Sequence, residues 1–253
     1  MYRLKKSLGQ HFLHDEGIIA KIMEALREES PTQLLEVGPG GGAITKDILE
    51  IPELSFKAVE LDMDKINFLE RTFPSIKGKL IHDSILDMEI PFEDKFIVIG
   101  NFPYNISSQI LFKMLDWKDQ VPVVIGMFQK EVAQRAAASP GNKDFGVLSA
   151  LLQPYYEIEY LFDVPAKSFT PPPKVTSGVI KLRRKTTALN YKNEKSYRML
   201  VKTAFNQRRK TLRNATRGLF SPETLQDEIF NRRAETLSIE EYAALSFRME
   251  GFE

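Results

Sequence analysis

The chain has 253 residues, of which 43% are hydrophobic and 27% are charged, the balance of an ordinary globular protein. It contains no cysteine, which excludes disulfides, thiolate nucleophiles and cysteine-ligated zinc. Its three histidines are too few and too scattered for a metal site, so no metal is expected. A membrane span needs about 20 apolar residues, and no apolar run in the chain approaches that length. The first ten residues are basic and lack the apolar core of a signal peptide. We therefore expect a cytoplasmic protein that does not enter a membrane.

The formal net charge of +1 conceals an asymmetry along the chain. Between Lys181 and Arg217 there are 13 Lys or Arg residues against a single acid, Glu194, and residues 1–14 add three basic residues and no acid. The rest of the chain is correspondingly acidic. A basic segment beside an acidic body indicates a polyanionic partner bound on one face, and a solvated helical surface is the alternative.

Strand patterns alternate with helical patterns through the first two-thirds of the chain. The predicted strands are Gln33–Val37, Phe56–Leu61, Lys79–His82, Phe96–Ile99, Val121–Phe128, Tyr156–Phe162 and Gly178–Leu182. The predicted helices are Ile18–Arg27, Ala43–Leu49, Met63–Phe73, Ser108–Leu115, Lys130–Ala138 and Gly146–Leu152. This alternation predicts a mostly parallel sheet that is covered by helices on both faces. The last strands have no helix between them, which favours an antiparallel edge.

The pattern changes after about Lys185, where the strand signals stop. Four helices are predicted beyond it, with Ser221 and Ser238 as N-caps: Glu194–Phe205, Lys210–Leu219, Pro222–Phe230 and Ile239–Met249. We therefore predict two domains, an α/β domain over residues 1–185 and a small all-α domain over residues 186–253.

A glycine-rich turn, Gly38-Pro39-Gly40-Gly41-Gly42, joins the strand that ends at Val37 to the next helix. Glycines allow the backbone to turn sharply and to approach a ligand more closely than other residues can. Gly38, Gly40 and Ala43 also satisfy the dinucleotide fingerprint, so an NAD enzyme remains an alternative here, as does a purely structural turn.

Acidic residues follow at the ends of the next two strands. Glu60 lies about 20 residues beyond the glycines, where a carboxylate can accept hydrogen bonds from both ribose hydroxyls. Asp62 is better explained as the N-cap of the following helix. Asp83 ends the third strand, and its carboxylate can accept from an adenine amino group. Because open α/β sheets bind ligands at the carboxyl ends of their strands, the series favours a ligand site over solvated loop acids.

The segment Asn101-Phe102-Pro103-Tyr104 ends the fourth strand. The exocyclic nitrogen of adenine is a poor nucleophile because its lone pair is delocalised into the ring. The amide oxygen of Asn101 and the carbonyl of Phe102, whose conformation Pro103 restricts, can accept its two hydrogens and favour the pyramidal, nucleophilic form. Tyr104 offers a flat face to an extruded base. The segment predicts chemistry on an adenine amine, and a turn with a buried tyrosine is the alternative.

These motifs resemble the small-subunit ribosomal RNA adenine N6,N6-dimethyltransferases across essentially the whole chain. The matching segments are Lys6–Leu13, Glu36–Gly42, Val59–Asp62, Asn101–Ser107, Phe169–Val175 and Phe205–Asn214, of which the last two are the most specific. The resemblance implies a Rossmann-like S-adenosylmethionine-dependent methyltransferase domain and a small all-α RNA-binding domain. It also implies dimethylation of two adjacent adenosines near the 3′ end of small-subunit (16S) ribosomal RNA.

The resemblance assigns roles to individual residues. The residues expected to bind S-adenosylmethionine are His11, Leu13, Gly38, Glu60, Asp83 and Asn101. Two positions depart from the family: His11 stands where asparagine is common, and Phe102 where leucine is common. Phe102 is expected to act through its backbone carbonyl, so its side chain matters little, whereas a loop histidine held by local backbone is the alternative for His11.

The catalytic residues implied are Asn101, Phe102, Tyr104 and Phe169. Tyr104 and Phe169 are expected to sandwich the target base, since Phe169 precedes three prolines that form a stiff connection. A core aromatic at the sheet edge is the alternative for Phe169. The residues expected to bind RNA phosphates are Arg208, Arg209, Lys210 and Arg213.

The expected partner is ribosomal RNA within a precursor of the small subunit, bound by a monomer. Three alternatives remain. The related erythromycin-resistance methyltransferases act on large-subunit ribosomal RNA, although Phe205–Asn214 favours the small-subunit branch. DNA adenine methyltransferases more often have aspartate first in the tetrapeptide. The chain is also compatible with a ribosome-assembly factor whose binding matters more than its catalysis.

Overall fold

A computed structural model describes residues 11–251, so residues 6–10 of the first motif lie outside the described residues. The described residues form nine strands: β1 Phe12–Leu13, β2 Gln33–Val37, β3 Ser55–Glu60, β4 Leu80–His82, β5 Ile97–Asn101, β6 Val123–Gln129, β7 Tyr156–Val164, β8 Phe169–Thr170 and β9 Ser177–Arg184. Over the same range there are nine α-helices: α1 Glu16–Arg27, α2 Thr45–Ile48, α3 Met63–Thr72, α4 Ser107–Asp116, α5 Lys130–Ala137, α6 Val147–Leu152, α7 Glu194–Asn206, α8 Leu212–Ala215 and α9 Ile239–Ser246.

Seven strands form one sheet in the order β4-β3-β2-β5-β6-β9-β7. The five strands from β4 to β6 are parallel, and β9 pairs antiparallel with β6, which confirms the predicted mixed sheet. The chain proceeds from β2 through β3 to β4 and then returns to the other side of β2 as β5. The loops after β2 and β5 therefore diverge, and such a reversal leaves a crevice at the carboxyl ends of the strands.

Helix α1 follows from an apolar stripe that repeats every three or four residues. Ile19, Ile22 and Leu26 are buried in the same hydrophobic cluster as Ile97 of β5. Burial of each such side chain contributes about 1.5–3 kcal/mol. The helix begins at Asp15, whose side chain accepts hydrogen bonds from the amides of the first turn.

A short two-stranded ribbon, which the sequence patterns did not indicate, joins two segments that are distant in the sequence. β1 pairs antiparallel with β8, and Leu13 lies opposite Phe169. Both side chains are buried in the main hydrophobic cluster. A strand of two residues is too short to show the alternation by which strands are recognised. The pairing brings the residues around position 11 beside the residues that follow β8.

An ion cluster around the buried Lys181 holds β9 to the end of α1. Lys181 is only 1% exposed, and its Nζ donates to Glu28 Oε2 at 2.7 Å and to Glu29 Oε1 at 3.0 Å. Arg183 Nη2 donates to the same Glu29 oxygen at 2.6 Å. A buried charge is tolerated only when it is paired in this way. Lys181 and Arg183 therefore contribute to the α/β fold, although the charge count places them in the basic segment.

The chain divides into two compact units. The first contains the residues up to Ala133 together with Ile158–Arg184, and the second contains Gln134–Glu157 together with the residues from Lys185 onward. The second unit thus takes in α6, which the sequence patterns place in the α/β domain, besides the helices near the C-terminus. Within residues 11–251, no helix has both the length and the apolar character that crossing a membrane requires.

The prediction of one helix over Pro222–Phe230 is wrong. The structure has two 3-10 turns there, Thr224–Gln226 and Glu228–Asn231, because Asp227 between them is extended, with ψ at 142°. Ser221 caps the first turn by accepting a hydrogen bond from a backbone amide three residues later. Local side-chain capping therefore competes successfully with the helical pattern in this segment.

The predicted helix over Lys210–Leu219 is shorter in the structure, where α8 is followed by a 3-10 turn, Arg217–Leu219. The other predicted helices and strands are confirmed to within a few residues at each end. Ser238 is confirmed as an N-cap: its hydroxyl accepts from the amide of Glu241, whose carboxylate accepts from the amide of Ser238.

Because Gly126 on β6 has no side chain, the ring of Phe102 can occupy the space beside it. A Cβ at this position would lie 2.4 Å from Phe102 Cε2 and 2.5 Å from Phe128 Cε2. We expect Gly126→Ala to lower the free energy of unfolding by about 1–3 kcal/mol in urea titrations, the usual cost of overpacking. Gly17→Ala in α1 is the control, and it should leave stability unchanged or raise it. Wild-type stability of Gly126→Ala would contradict this account of the packing.

Candidate active site

A cleft opens at the carboxyl ends of β2 and β5, at the reversal of the chain. The space within it is about 760 Å³ when the part that is open to solvent is included. The predicted site residues that line it are His11, Leu13, Gly38, Glu60, Asn101, Phe102 and Tyr104. Two predicted residues, Asp83 and Phe169, do not line it.

The glycine loop forms one wall of the cleft. Gly38 follows β2 directly, with φ at +67°, and its amide donates to the carbonyl of Val59 at 2.9 Å. A side chain would be strained in this conformation, and a Cβ at Gly38 would meet no atom within 4 Å. The backbone at Gly38 is therefore bare beside open space, which allows a ligand to approach it closely.

Glu60 presents a fixed carboxylate at the end of β3. Its Oε1 accepts from the amide of Asp62 at 3.0 Å, and its Oε2 accepts from Lys65 Nζ at 3.2 Å. Asp62 in turn caps α3 by accepting from the amide of Asp64, which confirms its predicted role. Glu60 is buried, so these bonds hold it in one orientation toward the cleft.

Asp83 lies in the loop that begins directly after β4. Its side chain is exposed, and Oδ1 accepts from the amide of Ser84 at 2.7 Å. Its position at the carboxyl end of a parallel strand agrees with the sequence pattern, but the structure does not bring its side chain into the cleft wall.

A second buried carboxyl, Glu36 on β2, lines the cleft and is absent from the predicted site residues. Thr45 Oγ1 donates to Glu36 Oε2 at 2.7 Å. Burial, together with the smaller effect of the charge of Glu60, raises the pKa of Glu36 to about 8, against the opposing effect of the Thr45 hydrogen bond. The sequence does offer one signal, because Glu36 is an acid within an otherwise apolar strand. A buried acid must be paired or neutralised.

The side chain of Asn101, at the end of β5, is held in one orientation by a hydrogen bond from its amide nitrogen. Asn101 Nδ2 donates to the backbone carbonyl of His11 at 3.3 Å, which leaves Oδ1 to accept a hydrogen bond in the cleft. The side chain of Phe102 is buried against the ring of Phe128, with ring centroids 4.9 Å apart. The amide of Phe102 donates to the carbonyl of Met127 at 3.1 Å, so the backbone that carries its carbonyl is held in place.

Tyr104 is held from two sides. Its hydroxyl lies 2.5 Å from Ser177 Oγ, and its ring is stacked with the imidazole of His11 at 5.8 Å between centroids and 27° between planes. Burial raises the pKa of Tyr104, so the hydroxyl stays protonated at neutral pH. His11 Nδ1 also makes a hydrogen bond with the carbonyl of Pro171 at 2.7 Å. The Ser177 and Pro171 contacts depend on tertiary packing, and the sequence patterns did not reveal them.

Phe169 lies in the core rather than in the cleft wall. It is 2% exposed and packs in the main hydrophobic cluster opposite Leu13. This placement agrees with the alternative of a core aromatic. A contact between Phe169 and a target base would require its ring to become exposed.

The predicted RNA-binding residues differ in their contacts. Arg208 donates to the carbonyl of Lys143 and lies 3.8 Å from Glu235 Oε2. Arg209 and Lys210 are exposed, and neither forms an ion pair with any residue in the range 11–251. These two side chains are therefore the most available of the predicted set for binding an anion.

The buried proton of Glu36 makes stability depend on pH. Since its folded pKa is about 8 and its ordinary value is 4.5, the folded protein retains a proton that the unfolded chain releases between these values. The free energy of unfolding therefore falls as pH rises through this window, by up to about 1.4 kcal/mol per pH unit. We expect Glu36→Gln to flatten this fall in urea titrations between pH 5 and pH 8. Glu50→Gln, at an exposed site, should leave it intact, and an unchanged slope in Glu36→Gln would refute the assignment.

The comparisons with known proteins agree with this site. The model of the ribosomal RNA adenine dimethylase family matches residues 1–249. Proteins named ribosomal RNA small subunit methyltransferase A are similar to this chain: that of Cytophaga hutchinsonii is 47% identical over 98% of this chain and 98% of its own length. The protein of the same name from Flavobacterium johnsoniae is 45% identical over 98% of this chain and 96% of its own length.

Two solved structures show the same fold. The dimethyladenosine transferase from Plasmodium falciparum has a TM-score of 0.77 and 23% identity, over 94% of this chain and 99% of that chain. The 23S rRNA methyltransferase ErmE has a TM-score of 0.73 and 21% identity, over 94% of this chain and 99% of that chain. The fold is therefore that of a Rossmann-like methyltransferase, and the chain belongs to the ribosomal RNA adenine dimethylase family.

Proposed function

We propose that this chain transfers two methyl groups from S-adenosylmethionine to N6 of each of two adjacent adenosines near the 3′ end of small-subunit (16S) ribosomal RNA. The observation that carries the proposal is the orientation of Asn101. Its amide nitrogen is tied to the carbonyl of His11, which leaves its amide oxygen to accept a hydrogen from an amine in the cleft. Family membership supports adenine in ribosomal RNA as the substrate, and thereby a role in biogenesis of the small subunit.

The residues of the cleft fit S-adenosylmethionine, which supplies an electrophilic methyl group when bound. The bare backbone at Gly38 accommodates its methionine part, and the buried carboxylate of Glu60 accepts from its ribose hydroxyls. His11 and Leu13 border the same space. We assign to Asp83 the binding of the amino group on the cofactor's own adenine. One oxygen of its exposed carboxylate accepts from the Ser84 amide, and the second oxygen is available.

The chain's own residues position and polarise the reacting amine. Asn101 Oδ1 and the carbonyl of Phe102 accept the two hydrogens of the adenine N6, which favours its pyramidal form and directs its lone pair outward. Tyr104 supplies a flat surface on which the extruded base stacks. Correct placement is itself a large part of catalysis. On accepting the methyl group the nitrogen becomes positively charged and therefore acidic, so its proton leaves to water and no dedicated base is required.

We propose that the basic residues Arg208, Arg209, Lys210 and Arg213 bind phosphates of the RNA. The exposure of Arg209 and Lys210, which lack an acidic partner among residues 11–251, supports this assignment. A-form RNA hides its base edges in a narrow major groove, so the contacts are mainly to phosphates and to shape. The contacts of Arg208 with Lys143 and Glu235 indicate that it also stabilises the second compact unit.

We also propose that the protein works as a cytoplasmic monomer. A ribosomal RNA substrate favours the compartment in which ribosomes are assembled.

The role of Asn101 predicts a selective loss of catalysis. We expect Asn101→Ala to slow single-turnover methyl transfer at least about a hundredfold, the typical effect of removing one preorganised hydrogen bond at a reacting group. RNA affinity should be largely unchanged, because the side chain polarises the amine and does not anchor the RNA. Asn67→Ala, on the exposed face of α3, is the matched control. Retention of most of the wild-type rate by Asn101→Ala would overturn the assignment.

A further inference from the structure

The second compact unit contains a pocket of its own. One side of the pocket is formed by α8 and the 3-10 turn that follows it. The other side is formed by the segment from Phe220 to Gln226. The pocket's empty volume is about 860 Å³, part of it open to solvent. The cavity itself is about 450 Å³, which is within the roughly 300–1,000 Å³ typical of ligand pockets.

Two guanidinium groups give this pocket its charge. Arg213 and Arg217 are four residues apart and both line it. Arg213 Nε donates to the carbonyl of Leu225 at 2.9 Å, which anchors the group and uses one of its five N–H donors. The remaining donors of Arg213 have no acceptor among residues 11–251. Arg217 is exposed and, within the same range, has neither an ion pair nor a side-chain hydrogen bond.

The positive charge is not neutralised within the pocket. None of the described residues that line it is acidic. Asp227, which follows the lining loop, is already paired: Arg248 Nη1 donates to its Oδ2 at 2.9 Å, and this pairing lowers the pKa of Asp227. The pocket therefore favours an anion supplied from outside the chain.

The other walls of the pocket are suited to a nucleoside. The amide side chains of Asn214 and Gln226 line it and offer both donors and acceptors. Phe220 contributes an apolar floor, and its ring is held edge-on against Phe230 with 4.9 Å between centroids. Charge, amide groups and an apolar surface thus occur together in one cavity, which is the combination that a nucleotide requires.

We propose that this pocket binds one nucleotide of ribosomal RNA, with its phosphate on Arg213 and Arg217 and its nucleoside against the amides and the apolar floor. The inference rests on the proposed function, which supplies RNA as the partner. Planar guanidinium groups bind phosphate oxygens through two parallel hydrogen bonds, which gives geometric specificity as well as charge. A nucleotide that enters a pocket must be unpaired, so the pocket selects a loop, bulge or end of the RNA.

Arg217 is the residue with which to test the pocket, because it is exposed and its removal breaks no side-chain hydrogen bond or ion pair within residues 11–251. The probe is a small-subunit ribosomal RNA fragment that contains the methylated region, titrated at several salt concentrations. Arg217→Ala should weaken binding about tenfold and lower the slope of log affinity against log salt by roughly 0.7 to 0.9. Methyl transfer at saturating RNA should keep the wild-type kcat, while KM for RNA rises.

Arg217→Lys separates a shaped pocket from general attraction. A lysine keeps the charge but lacks the planar fork, so it should restore the salt slope without restoring the affinity. Lys77→Ala, an exposed charge in the first unit, is the control and should bind as wild type does.

The outcomes distinguish this inference from the proposed function. If the wild-type protein binds and methylates the RNA but Arg217→Ala binds it equally well, the pocket inference alone is overturned. If Arg217→Lys matches the wild-type affinity, the residue acts by charge and the nucleotide pocket is refuted. If the wild-type protein neither binds nor methylates the RNA, the proposed function fails, and this inference fails with it.

Discussion

The reversal of the chain at β2 is the constraint on which the candidate site depends. The polypeptide leaves β2 toward β3 on one side and returns as β5 on the other. The glycine loop after β2 and the Asn101–Tyr104 segment after β5 are distant in sequence but become opposite walls of one cleft. Because both strands are parallel and end at the same edge, the bare backbone at Gly38 and the polar groups of Asn101–Tyr104 face the same space.

The position of Asn101 and Tyr104 within that cleft depends on His11. Its carbonyl accepts from Asn101, its ring stacks on Tyr104, and its Nδ1 contacts the carbonyl of Pro171. The short ribbon of β1 and β8 holds this residue in place, since it pairs the two segments that flank these contacts. The orientation of the amide oxygen at the end of β5 is thus set by a segment that precedes the first helix. The contact with Asn101 uses only the backbone carbonyl of His11, so it does not depend on which side chain this position carries.

Most of the fold could be predicted from the sequence, because long apolar periodicities and glycine turns are local signals. The α1 stripe, the parallel strands and the Ser238 cap are examples. The β1–β8 ribbon escaped prediction because its stability comes from tertiary pairing. The helix over Pro222–Phe230 failed because capping by Ser221 and the extended Asp227 interrupt it.

The candidate site could be predicted less completely, for related reasons. Residues at strand ends, such as Gly38, Glu60 and Asn101, were identified from order and spacing, and they do line the cleft. The place of Glu36 in the cleft could not be predicted, because only the folded sheet brings this acid beside Thr45 and Glu60. A charge count along the chain cannot distinguish Lys181, which is buried against the two acids that follow α1, from an exposed cation such as Arg209.

The measurement that tests the central claim most directly is mass spectrometry of small-subunit ribosomal RNA after incubation with the protein and isotope-labelled S-adenosylmethionine. The account predicts that the label appears as two methyl groups on N6 of each of two adjacent adenosines near the 3′ end of the RNA. Label on another atom, on another region or on large-subunit ribosomal RNA alone would contradict it. An unlabelled RNA in the presence of tight binding would show that the protein acts by binding rather than by catalysis.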